Sequence, residues 1–146
     1  MKIIVKKEFD GKNFVGSCEN LPSCYTQASS AEELIVELRR AIELYRKSLV
    51  SRNQPIPNSF DMPVLDKKIR FHTISSEQLT SILLKSHYHL EYNDDKSILF
   101  LNTKFPFNRI HIPRVSQVSP LLITKLFGKE NVIFINKDKL SMNSSA

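Results

Sequence analysis

Residues 1–33 read MKIIVKKEFDGKNFVGSCENLPSCYTQASSAEE, and this stretch decides how the chain begins to fold. Two short apolar runs, Ile3-Ile4-Val5 and Phe14-Val15-Gly16, flank the pair Asp10-Gly11. Glycine takes the positive φ of a tight turn without steric cost, so the spacing predicts a β-hairpin. Leu21-Pro22-Ser23-Cys24-Tyr25-Thr26-Gln27 reads as a turn followed by a short strand. Ser30 stands three residues before Glu33, the spacing of a capping box at a helix start. The order is β-β-β-α. The helix is expected from about Ala31 to Val50, with Leu34, Leu38, Ala41, Ile42, Tyr45 and Leu49 on one face. That stripe is expected to cover the three strands. Ile35 and Val36 fall outside it and are available to a partner subunit.

Further along, Ser51 to Lys68 carries Pro55, Pro57 and Pro63 among polar residues and reads as a linker or wrapping arm. Ile69 to Ile74 alternates as a strand that either completes the first sheet or opens a second unit. Ser75 and Gln78 mark a second helix start, with Leu79, Ile82, Leu83 and His87 on its buried side. Strands are expected at His89 to Tyr92, Ser97 to Leu101 and Arg109 to Ile112, the first two joined by an Asn93-Asp94-Asp95 turn. Ser119-Pro120 opens a third helix that Gly128 ends. Asn131 to Ile135 is one more strand, and the small polar end Ser141 to Ala146 is expected to fray. The fold class is α+β in two small subdomains: 1–50, a linker 51–68, 69–140, and a tail 141–146.

The chain has 146 residues, 41% hydrophobic and 25% charged, a globular composition. Units of this size are marginal alone, so the halves should pack together or the chain should oligomerise. No run approaches the roughly 18 apolar residues of a membrane span, and the start is too short in apolar residues for a signal peptide. The cytoplasm is the expected location. Cys18 and Cys24 form no Cys-x-x-Cys pair and read as reduced structural thiols. The net charge of +6 is uneven. Residues 1–50 hold eight Lys/Arg and seven Asp/Glu, whereas residues 51–146 hold thirteen and eight. A basic carboxy-terminal half raises the prior for a phosphate-rich partner.

The β-β-β-α order with its Leu21-Pro22-Ser23-Cys24-Tyr25-Thr26-Gln27 turn resembles the amino-terminal domain of the HicB antitoxin family. The resemblance implies a partial ribonuclease H-like sheet. The order from Ser75 to Phe127 is α-β-β-β-α, similar to double-stranded-RNA-binding-like (dsRBD-like) folds and to the HicA toxin family. Three places carry that likeness: Leu79 to Lys85 with Tyr88-His89-Leu90, Arg109 to Arg114, and Ser119-Pro120. HicA proteins are small messenger-RNA ribonucleases that HicB proteins block, so the chain resembles both partners fused, antitoxin first.

The HicA likeness implies a Gly-Ser-His motif, which falls here on Asp95-Lys96-Ser97. Ser97 thus takes the place of the catalytic histidine, and a hydroxyl does not titrate near neutral pH. The later position near Val115 also lacks its histidine. His89 and His111, on strands expected to be neighbours, are the residual candidates for an RNA-cleaving pair. With Asp95 they form only a weak metal set, and no metal or cofactor is expected. Lys85, Lys96, Lys104, Arg109, Arg114 and Lys125 are the candidate nucleic-acid contacts. The loop Asn102-Thr103-Lys104-Phe105-Pro106-Phe107-Asn108 mixes a cation with aromatics, which suits phosphate binding and base stacking. The expected function is a non-catalytic, toxin–antitoxin-derived binding protein for RNA or a protein partner. The alternatives are a ribonuclease restrained in cis and a protein adaptor without nucleic acid. Expected partners are RNA, further copies of the chain as a dimer or tetramer, and a toxin-like protein.

Overall fold

The computed structural model describes residues 3–57, 62–63, 65 and 67–135. The frayed tail expected at 141–146 and the end of the second expected unit lie outside these residues, as do parts of the linker.

The fold is α+β. The hairpin forms from β1 (Val5–Phe9) and β2 (Phe14–Cys18), with Gly11 at φ 99° in the turn. Asp10 closes that turn by accepting from the backbone of Lys12 at 2.8 Å and of Asn13 at 2.5 Å. β3 (Tyr25–Ala28) pairs antiparallel with β2. Ser30 then caps α1 (Ala31–Ser51), accepting from Glu33 N at 3.1 Å.

β4 (Ile69–Phe71) does not join the first sheet. It pairs in parallel with β8 (Val132–Phe134) in a sheet of its own. α2 (Ser76–Leu84) has the complete capping box, with Ser75 and Gln78 bonded in both directions. β5 (Tyr88–Asn93), β6 (Ser97–Asn102) and β7 (Arg109–Pro113) form an antiparallel sheet in the order β5-β6-β7. α3 (Pro120–Phe127) follows, ended by Gly128 at φ 90°. A single 3-10 turn, Lys129–Asn131, leads into β8.

The two main sheets meet edge to edge. Cys24 bridges His111 in parallel, and His111 N donates to Ser23 O at 2.9 Å. Side chains alternate across strands, so each face of this composite has its own core. On one face Cys18, Leu21, Cys24 and Leu99 pack under Ala41, Tyr45 and Leu49 of α1. On the other, Val15 joins Ile98, Phe100, Ile110 and Ile112 beneath α2 and α3. Each cluster therefore draws on both halves of the chain. Gly16 is the close approach on the α1 face: a Cβ there would lie 3.2 Å from Leu34 Cδ1.

Candidate functional site

The expected pairing of His89 with His111 is corrected by strand order. β5 and β7 both flank β6, where His89 lies opposite Leu101 and His111 opposite Leu99. Their backbones are thus two strand spacings apart and offset by two residues along the strands, roughly 12 Å in all. His89 is exposed, and His111 is 0% exposed. His111 Nδ1 lies 2.8 Å from Tyr25 O. A carbonyl only accepts, so Nδ1 carries the proton and Nε2 is a bare acceptor. Nε2 is buried with no hydrogen-bond partner among the described residues. Burial pushes His111 down to about 4, although the Tyr25 carbonyl and nearby Asp94 pull the other way. It is neutral at pH 7 and locked into the seam between the sheets.

Ser97 is also buried, at the start of β6. Its N–H donates to Asp94 Oδ1 at 2.8 Å, beside the N–H of Lys96 at 2.9 Å. The Lys96 amide first, and the Ser97 amide after it, hold the Asp94 carboxyl below the usual range against a burial effect that raises it. This end of the sheet is an Asp-closed turn. Among the described residues no group of three or more His, Cys, Asp or Glu is arranged to hold a metal.

The six candidate cations separate. Arg109 is 0% exposed and does not belong to any nucleic-acid surface, which corrects the expectation. Its Nε donates to Ser48 Oγ at 2.7 Å, Nη1 to Phe107 O at 3.0 Å and Nη2 to Gln54 Oε1 at 2.6 Å. Ser48 Oγ in turn donates to Glu91 Oε2 at 2.6 Å, and Arg52 grips both Glu91 oxygens at 2.6 and 2.9 Å. Arg52 first, then Ser48, hold Glu91 below the usual carboxylate range while burial opposes them. A register shift between Leu90 and Tyr92 places Glu91 at a bulge in β5. Arg114 donates to Asp94 O at 2.7 Å and lies 3.4 Å from Glu77. Lys125 pairs with Glu8 at 2.6 Å across the halves. Lys85, Lys96 and Lys104 are exposed, but Lys96 sits at the β5–β6 turn and Lys104 at the opposite end of the sheet.

Sequence reasoning missed the Ser48–Glu91–Gln54 side of this network. One signal was available: Ser48 stands three residues after Tyr45, inside an otherwise apolar stripe. The bulge that turns Glu91 toward α1 has no comparable signature.

The β6–β7 loop is ordered by its own bonds. Asn102 Oδ1 accepts from Lys104 N at 3.0 Å, Phe107 N donates to Lys104 O at 2.8 Å, and Asn102 N donates to Asn108 O at 2.8 Å. Phe105 and Phe107 meet edge to face, with centroids 5.9 Å apart. Phe107 adopts φ 64°, a left-handed conformation costly for a bulky residue.

Comparison with known proteins bears on the amino-terminal end. Over 55 residues the chain is 38% identical to a UPF0150 protein of Synechocystis, covering 38% of this chain and 68% of the relative. Over 55 residues it is 34% identical to a UPF0150 protein of Thermoplasma acidophilum, covering 78% of that protein. A UPF0150 protein of Archaeoglobus fulgidus is 44% identical over 43 residues, 61% of its length. No family model and no solved structure matches the chain. The similarity lies in the amino-terminal 55 or so residues, the hairpin, β3 and α1, and it does not extend to a HicA-like second half. Through that amino-terminal unit, the chain belongs to the UPF0150 family, a HicB-like family.

Proposed function

We propose that the chain is a non-catalytic regulatory protein of toxin–antitoxin descent, in which a HicB-like half is fused to a HicA-like half that binds RNA. The observation that carries this reading is the position of α1. It covers the face of the second sheet on which Arg109, His111 and, by strand alternation, Ser97 stand. A proton-transfer group on that face would need access to solvent and substrate, and Ser97, Arg109 and His111 are buried there. The cations that remain exposed, Lys85, Lys96 and Lys104, favour a phosphate-bearing ligand. Self-association belongs to the same reading. Exposed Ile35 and Val36 lie on α1, and Ile35 shares a surface groove with Ile3 and with Val5 of β1, an edge strand among the described residues.

The test is RNA titrated against purified protein at several salt concentrations, with cleavage followed in the same tubes. The expected result is binding that weakens steeply with salt and intact RNA throughout. Cleavage lost on His89→Ala or His111→Ala rejects the reading. The restrained-ribonuclease alternative draws on the same coverage by α1. If loosening the seam with Arg109→Ala brings out RNA cleavage, that alternative replaces the favoured one. Absence of any RNA affinity at low salt points to the protein adaptor.

A further inference from the structure

The β6–β7 loop borders a small cavity of about 210 Å³, lined by His87, Tyr88, Asn102, Lys104, Phe105 and Asn108 among others. Drug-sized sites run from roughly 300 to 1,000 Å³, so this one admits a single ring system and little more. Four observations coincide there. Phe105 is 82% exposed, yet it stands on a loop held by three backbone and side-chain hydrogen bonds. Lys104 supplies a cation, and among the described residues no carboxylate is in the lining. Asn108 is only 5% exposed, and its Oδ1 is buried without a hydrogen-bond partner among the described residues. An orphan acceptor of this kind needs an explanation, because its desolvation is otherwise uncompensated. His87, on the same rim, takes φ 70° without being glycine, and backbone strain of this sort collects at ligand sites.

We propose that this cavity holds one unpaired nucleobase, stacked on Phe105, with Asn108 Oδ1 accepting an N–H from the base edge and Lys104 on an adjoining phosphate. The proposal rests on the RNA-binding reading above and gives it a place. Each element answers a different part of the ligand. The exposed ring offers a flat face, and stacking on aromatics is the sequence-tolerant way to hold single strands. Every nucleobase carries an N–H donor on an edge, which suits a lone acceptor. The ammonium of Lys104 matches a phosphate as a point charge. An apolar anchor from a protein partner fits less well, since it leaves Asn108 Oδ1 unpaired and Lys104 without a counter-charge. The cavity also lies at the end of the sheet away from Asp94 and Asp95, which repel phosphate.

The experiment is fluorescence anisotropy on the full chain at low salt. The probes are a short mixed-sequence single-stranded RNA, the same sequence as DNA, and the RNA as a duplex. The wild-type protein should bind the single strands more tightly than the duplex. Equal affinity for single-stranded RNA and DNA supports a site that reads the base alone, and a preference for RNA supports the site and identifies its strand. Phe105→Ala should weaken binding roughly 5- to 100-fold, and Lys104→Ala should weaken it and reduce the salt slope by about one. Lys96→Ala, at the far end of the sheet, should leave affinity within about twofold. Phe105→Leu keeps the apolar bulk but not the flat ring, and it too should weaken binding, with an unchanged melting temperature. Equal binding by the Phe105 variants and the wild type, or equal binding of duplex and single strand, overturns the site. In either case the RNA-binding reading stands. No binding of any nucleic acid overturns both, and leaves a protein as the partner class.

Discussion

The two faces of the composite sheet are joined by different chemistry. On the α1 face the halves meet through buried charge. Arg109, Ser48, Glu91 and Arg52 form one connected network, and neutral His111 sits beside it. On the α3 face they meet through separate short contacts: a hydroxyl on a carboxylate, an amide on a side-chain carbonyl, and one ion pair at a part-exposed rim. Ser119 Oγ donates to Asp10 Oδ2 at 2.5 Å, Gln27 Oε1 accepts from Ser119 N at 2.7 Å, and Glu8 meets Lys125. Burial raises the Asp10 carboxyl, but the Asn13 amide, the Ser119 hydroxyl and the Lys12 amide together leave it lowered. A buried charge is costly unless every partner is present, whereas a rim contact gains and loses little. The α1 face is therefore the one where single substitutions should separate or collapse the halves.

Arg109→Ala should have the largest effect. It leaves Ser48, Gln54 and the Phe107 carbonyl without their donor and should destabilise the fold by about 3 kcal/mol, read as a lower urea midpoint. The next effect is one of pH. The folded value of His111 is depressed from 6.5 to about 4. Between those values the unfolded chain binds a proton that the folded chain refuses. Stability should be full above pH 6.5 and fall as the pH drops toward 4, by an amount of the order of 3 kcal/mol at about 1.4 kcal/mol per unit. In His111→Gln the decline between pH 6.5 and 4.5 should largely vanish, which urea melts across that range would show. On the other face the effects should be smaller. Ser119→Ala removes the α3 cap and the Asp10 contact and should cost about 1 kcal/mol, and Glu8→Gln should cost less than about 1 kcal/mol. If Glu8→Gln matches Arg109→Ala, the contrast between the faces is wrong.

Much of the secondary structure was legible because its signals are local. The Asp10-Gly11 turn, the Ser30 and Ser75 caps, Pro120 at the start of α3 and Gly128 at its end each act within a few residues of themselves. What was not legible depends on which strand lies beside which. Nothing local to His89 or His111 says that β6 runs between them, or that His111 meets Cys24. The same holds for Arg109. A lone cation at a strand start reads as surface unless Ser48, on an element far away in sequence, is known to receive it. The β6–β7 loop was singled out by composition, but the orphan oxygen of Asn108 is visible only in three dimensions.

The bridge between Cys24 and His111 joins the first antiparallel unit to the last strand of the second. During synthesis the inner face of α1 must therefore wait, half covered, until β7 has left the ribosome. A nascent chain stalled before that point would present Leu21, Tyr45 and Leu49 to chaperones. Contacts this distant in sequence close last and carry the highest entropic barrier. The completed molecule should thus assemble slowly and as a whole, with neither half mature before the other.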